Sequence, residues 1–189
     1  MGGRFTQSFG LVLHELAESL QRVPPDHVEK LLGAIRSSRN ILVIGAGRMG
    51  IILSMFSLRL NHLGFTSHVV GSTSCPPIGP GDLLLVASSS GETPTVREIV
   101  RKAREYEAGI AVVTAQPTST IGRMASVVVH VQAPASIVAS EQGALLSKQP
   151  MKTLFEQTLF ILLEAMVLEL MRETDQTASD LARRHGNLE

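Results

Sequence analysis

The chain has no tryptophan, a single tyrosine (Tyr106) and a single cysteine (Cys75) among 189 residues. So few aromatic faces argue against a surface that reads nucleic acid by stacking on its bases. One cysteine excludes an intrachain disulfide and fits a reducing compartment. Beside Pro76 and Pro77, Cys75 reads as a small apolar residue and not as a nucleophile. An excess charge is missing too. Seventeen basic side chains balance seventeen acidic ones, so there is no electrostatic pull toward nucleic acid or an acidic membrane. Long uncharged apolar runs are absent as well. The most hydrophobic segment, Met151 to Met171, carries Lys152, Glu156, Glu164 and Glu169, too many charges for an ordinary membrane span. The N-terminus shows helical periodicity in place of an apolar leader with a cleavage site. A soluble, cytoplasmic protein is expected.

What is present is a strand–helix alternation. The length suits one domain with a sizeable core: N-terminal helices over 1–39, a sheet core over 40–132, and a C-terminal helix and tail over 150–189. Phe5, Phe9, Leu13, Leu16, Leu20 and Val23 recur at helical spacing until Pro24 and Pro25 break the pattern. Asp26 reads as the cap of a second helix with Val28, Leu31, Leu32 and Ile35 on one face. Buried strands are predicted at Ile41 to Ile44, Ser67 to Val70, Leu83 to Ala87, Ile110 to Thr114 and Val127 to Val131. Helices fall between them: one to about His62, one from Pro94 to Tyr106, and a short one starting at Thr120. This pattern predicts an α/β, three-layer αβα sandwich with a five-stranded parallel sheet of order 2-1-3-4-5. Ala133 to Pro150 has no period and reads as a surface loop that moves over a site. The helix from Met151 to about Arg172 is apolar nearly all round, so burying it calls for an oligomer interface.

Two loops carry the chemistry. The segment SSSGET, Ser88 to Thr93, turns from the third strand into a helix that starts at Pro94. Unpaired N–H groups at a helix start, with hydroxyls of Ser88, Ser89, Ser90 and Thr93 around them, make a seat for a phosphate; the plain alternative is a serine-rich capped turn. The segment GAGRMG has Gly45, Gly47 and Gly50 in dinucleotide-fingerprint positions, with Arg48 inside it. The second strand, however, ends Val69-Val70-Gly71-Ser72-Thr73 with no acid to hold a ribose, which weakens a dinucleotide oxidoreductase reading. In a 2-1-3-4-5 sheet, the loops after strands one and three adjoin at the switch point where ligands bind. His14, His27, His62, His68 and His130 have no metal-ligand spacing and read as structural.

Together Ser88, Ser90, Gly91, Glu92 and Thr93 form an S-x-S-G-E-T pattern that resembles the sugar isomerase (SIS) domains, five-stranded αβα sandwiches that bind sugar phosphates. GAGRMG, RLNHLGF (Arg59 to Phe65), QPMKTLFEQ (Gln149 to Gln157) and the terminal RHGNLE extend the resemblance, nearly end to end, to the 6-phospho-3-hexuloisomerases. The resemblance implies isomerisation of D-arabino-3-hexulose 6-phosphate and fructose 6-phosphate through a cis-enediol or enediolate. It further implies no metal or organic cofactor and a dimer or tetramer with shared sites. In the family the reaction serves formaldehyde assimilation by the ribulose monophosphate pathway or pentose supply. Glu156 is then the expected base, in a helix start where burial opposes its charge and the helix terminus supports it. His185 is the expected proton shuttle or ring-opening acid, since imidazole titrates near neutrality. Gly47, Arg48, Ser88, Ser89, Ser90, Gly91 and Thr93 are the expected substrate contacts, and the role of Glu189 stays open. Family members usually carry serine at the position of Met49, an acid at Ser72, glycine at Ser89 and alanine at Gly186. Met49 opens two alternatives: isomerisation of another phosphate, such as arabinose 5-phosphate or a heptose phosphate, or sugar-phosphate sensing without catalysis.

Overall fold

The computed structural model describes residues 2–134 and 147–188. Most of the expected loop, residues 135–146, and Glu189 lie outside them. Five strands form one parallel sheet: β1 (Ile41–Gly45), β2 (Ser67–Val69), β3 (Leu83–Ala87), β4 (Gly109–Thr114) and β5 (Val127–His130), in the order β2-β1-β3-β4-β5. The order and direction are those expected. Every residue of β3 is buried, as a central strand covered on both faces must be.

Strand alternation sends side chains to two apolar layers. Leu42, Leu84, Val86, Ile110 and Val112 meet helices α4 (Pro94–Glu105) and α5 (Thr120–Met124). Ile41, Val43, Leu83, Leu85, Ala111 and Val113 face the larger layer, built from α2 (Pro25–Ser37), α3 (Arg48–His62) and α6 (Thr153–Glu173). α6 packs against α3, against α2 and against α1 (Gly2–Gln21). It is buried on every side but one, where Ile161, Ala165 and Leu168 stay open. Residues 3–10 of α1 are exposed throughout, so the apolar stripe of Phe5, Phe9 and Leu13 touches little of its own chain. Ile51, Met55 and Leu58 of α3 form a third open stripe. Among the described residues no helix is long and apolar enough to cross a membrane.

Several local expectations shift. Pro24 is the cap position of α2, Pro25 its first residue, and Asp26 lies inside the first turn. Proline fits there because the first N–H groups of a helix lack partners anyway. The charged tail holds an unpredicted short helix, α7 (Ala178–Ala182). It starts at a capping box in which Thr177 and Asp180 bond each other's backbone N–H. Cys75 is half-buried against the smaller apolar layer, and burial pushes its thiol pKa up, in line with an inert residue.

At the edge opposite the two loops, Asp82 ties the strand entrances together. Its carboxylate accepts from Arg39 Nε (3.1 Å), Asn40 Nδ2 (2.8 Å) and Gly79 N (2.9 Å). Burial pushes the Asp82 pKa up, but the bonds from Arg39, Asn40 and Gly79 outweigh it and hold the group below the usual range. Asp82→Ala leaves the Asn40 and Gly79 donors unmet, while the exposed Arg39 turns to water, and is expected to cost about 2 kcal/mol, a fall in Tm of roughly 4–8 °C. A lowered folded-state pKa contributes stability above the unfolded value of 3.8, and that stability drains away as pH falls below it. The gap in Tm between wild type and Asp82→Asn should therefore close below about pH 4 in thermal melts. Equal melting temperatures at pH 7 would contradict this account.

Candidate active site

Gly45 of β1 pairs with Ala87 of β3, so the loops that leave these strands stand side by side. In the first loop, a Cβ on Gly50 would sit 2.6 Å from the Gly45 carbonyl oxygen, and one on Gly45 would sit 2.9 Å from Gly50 N. Both glycines therefore serve the close approach of α3 to β1. Gly47 differs: its φ is 59° and a Cβ there would meet nothing within 4 Å, which leaves its backbone open to a ligand. It caps α3 with no side chain, so the first N–H groups of that helix are free of a side-chain cap.

The second loop is wound tightly. Gly91 N donates to Ser88 Oγ (3.1 Å), Ser88 Oγ lies 3.4 Å from Thr93 Oγ1, and Glu92 N donates to Ser90 Oγ at 3.4 Å. The carbonyl of Ser89 accepts from Ala115 N and Thr114 Oγ1, which anchors the loop to β4 and its exit. Thr93 caps α4 by position, yet its hydroxyl bonds no N–H of that helix. Two helix N-termini without side-chain caps thus rise from adjacent strands, a setting that favours an anion. Ser89 Oγ is buried with no hydrogen-bond partner among the described residues. Glu92 turns away from this seat: its Oε1 accepts from Thr120 N, and that bond lowers its pKa.

Arg48, the first residue of α3, reaches Glu156 in the first turn of α6, with Nε 2.6 Å from Oε2. The glutamate side chain is only 12% exposed and the arginine 66%. The ion pair thus presents a sheltered carboxylate and an accessible guanidinium at the mouth of the first loop. Gln157 Oε1, one residue on, is buried without a partner among the described residues. Buried polar oxygens left unmet are rare, and one of these two lies in the serine turn while the other follows Glu156 on α6. Glu156, Arg48, Gly47 and the serine turn are brought to one end of the sheet.

Met49 is 8% exposed and packs in the larger apolar layer with Leu53 and Phe56. A thioether with three rotatable bonds fills that gap in packing. His185 lies at the far end of α3, where its ring centroid is 5.3 Å from that of His62. Both rings border a cavity of about 250 Å³ with Arg59, Met171 and Leu181. Fourteen residues of helix separate Arg48 from His62, roughly 21 Å at 1.5 Å per residue. Within one chain, His185 and Glu156 do not share a site. His62, read from sequence as structural, is buried.

The fold and this site define the class. The SIS domain model matches residues 34–162, and the chain belongs to the SIS domain family. Among its relatives, a 3-hexulose-6-phosphate isomerase of Mycobacterium gastri is 39% identical over 189 residues, covering 100% of this chain and 94% of that one. The 3-hexulose-6-phosphate isomerase of Bacillus subtilis is 34% identical over 97% of this chain and 98% of its own. A crystal structure from Methanococcus jannaschii, whose molecular function was inferred as 3-hexulose-6-phosphate isomerase, superposes with a TM-score of 0.83 at 26% identity. It covers 97% of this chain and 99% of the other.

Proposed function

We propose that this chain, acting as one domain, is a sugar-phosphate isomerase that interconverts D-arabino-3-hexulose 6-phosphate and fructose 6-phosphate. Full-length similarity to two 3-hexulose-6-phosphate isomerases supports the reaction class. The observation that carries the mechanism is the sheltered Glu156 carboxylate paired with Arg48 beside the uncapped serine turn. In this reading the phosphate rests on the loop N–H groups and hydroxyls of Ser88, Ser89, Ser90, Gly91 and Thr93. Gly47 lets the ligand approach closely, and Arg48 turns from Glu156 toward the sugar oxygens. Glu156 takes the proton from the carbon next to the carbonyl, and the electron pair moves to the carbonyl oxygen as the enediolate forms. The proton of the neighbouring hydroxyl passes to that oxygen, and Glu156 returns its proton to the former carbonyl carbon, which shifts the carbonyl between C3 and C2. A small phosphorylated substrate and one unpaired cysteine fit a cytoplasmic setting, and the ribulose monophosphate pathway is a metabolic place for such a step.

Because His185 is remote from Glu156 in its own chain, we place it in the site of a second copy. The open stripes on α1, α3 and α6 are the surfaces such an oligomer, a dimer or tetramer, would cover. Sensing without catalysis is the second reading. One assay separates them: fructose 6-phosphate is incubated with the protein in deuterated water, and label at C2- and C3-derived positions is followed by NMR. Exchange is expected for wild type, and for a mixture of Glu156→Gln and His185→Ala chains co-assembled in one oligomer, although neither variant exchanges alone. Sugar-phosphate binding without exchange would overturn the isomerase in favour of a sensor. Exchange in wild type without recovery in the mixture would overturn the shared site.

A further inference from the structure

α1 carries a buried carboxylate that the apolar periodicity of the helix does not account for. Glu15 is 6% exposed, and its two oxygens accept three hydrogen bonds from one short segment far away in sequence. Lys148 N donates to Oε1 at 2.9 Å, while Ser147 Oγ (2.6 Å) and Gln149 Nε2 (3.0 Å) donate to Oε2. Burial pushes the Glu15 pKa up, but these donors, with the charge of Lys148, hold it below its ordinary value. One turn further along α1, Ser19 Oγ donates to the Gln132 carbonyl and accepts from Thr158 Oγ1, both at 3.0 Å. α1 is therefore pinned to α6 at Thr158, two residues past Glu156, and to the segment that leads into α6.

The lead-in itself is bonded step by step. Gln149 N donates to Ser147 Oγ, Thr153 bonds the Pro150 carbonyl through both its N–H and its hydroxyl, and Glu156 N donates to the Lys152 carbonyl. Between them Met151 holds φ at +58°, a left-handed conformation that costs a side-chain-bearing residue about 1 kcal/mol or more. Its side chain is 62% exposed, so its own packing does little to hold that conformation. The order must come from its flanks, and on the N-terminal side Glu15 supplies it.

We infer that Glu15 is a positioning residue, whose bonds to Ser147, Lys148 and Gln149 fix the start of α6 and so the place of the Glu156 carboxylate. This rests on the reading of Glu156 as base. A misplacement of about 1 Å in a reacting group can cost on the order of 100-fold in rate. Glu15→Ala is thus expected to lower kcat about 30–100-fold while KM changes less than about threefold. Glu15→Gln keeps the shape: its oxygen takes the Lys148 N–H, Ser147 accepts from its amide, and the Gln149 amide reverses to do likewise. That variant should recover kcat to within about fivefold of wild type.

The deciding measurement is a double-mutant cycle on kcat, with circular dichroism melts on each variant. With Glu156→Gln, adding Glu15→Ala should change the residual rate by less than about twofold, since there is no base left to misplace. The same fold loss in both backgrounds would show a merely structural role and overturn the inference. So would a folded Glu15→Ala with wild-type kcat. Should Glu15→Ala fail to fold, Ser147→Ala, which removes one bond of the three, replaces it, with kcat expected to fall about three- to tenfold and an unchanged value overturning the inference. If Glu156→Gln alone retains full activity, the base assignment fails and takes this inference with it. A dead Glu156→Gln beside an unaffected Glu15→Ala would refute only the role of Glu15.

Discussion

Glu156→Gln is expected to lower kcat by about 10²–10⁴-fold, or roughly 3–5 kcal/mol of barrier, the usual worth of a positioned base. The amide keeps the volume of the side chain and can still accept from Arg48 Nε, but it cannot hold a proton taken from carbon. Folding should hardly notice the change. The ion pair is sheltered on one side only, with the guanidinium 66% exposed, and such pairs contribute little to stability. Sugar-phosphate affinity should likewise stay within a few-fold, because the proposed phosphate seat is the serine turn and not Glu156. Steady-state kinetics beside calorimetric binding would separate these effects. A Glu156→Gln enzyme with normal kcat would remove the proposed mechanism outright.

Gly91→Ala should be nearly as damaging, through geometry alone. Gly91 sits at φ 62°, and a Cβ there would lie 1.9 Å from Ser119 Oγ and 2.5 Å from Ser119 Cβ. Neither separation is tolerable, so the loop or the start of α5 must move. Moving it breaks the bond from Gly91 N to Ser88 Oγ and the one from Ile121 N to the Gly91 carbonyl. The expected result is a loss of about 2–4 kcal/mol in stability. Sugar-phosphate affinity should fall about 100-fold, near 3 kcal/mol, the worth of one or two hydrogen bonds to a charged group. Ser119→Gly in the same chain removes both clashing atoms at small cost to the α5 cap and should restore part of the affinity. Binding unchanged in Gly91→Ala would mean that the anion sits elsewhere.

Much of the architecture was legible in the chain because its signals are local. Leu83 to Ala87 is continuously apolar, and a strand of that kind is stable only between two layers. Proline at 94 after a hydroxyl-rich turn marks a helix start, and the order of the strands follows from their alternation with helices. Of the candidate site, SSSGET and Arg48 stand out as residue types that suit phosphate binding, whereas Glu156 is singled out only through the family resemblance.

What escaped depends on contacts between segments remote in sequence. Glu15 lies more than 130 residues from the segment it holds, and no helical period distinguishes it from a solvated carboxylate. Met49 follows a glycine-rich loop, yet its direction is decided by the space beside Leu53 and Phe56. His185 belongs to a recognisable terminal motif, yet it lies roughly 21 Å along α3 from Arg48, which pairs with Glu156. The amino-acid order by itself determined the strands, the main helices and the chemical groups available. Only the tertiary structure decided which groups meet, because hydrophobic burial carries no direction and the final placement follows from close packing and from satisfying each buried polar atom.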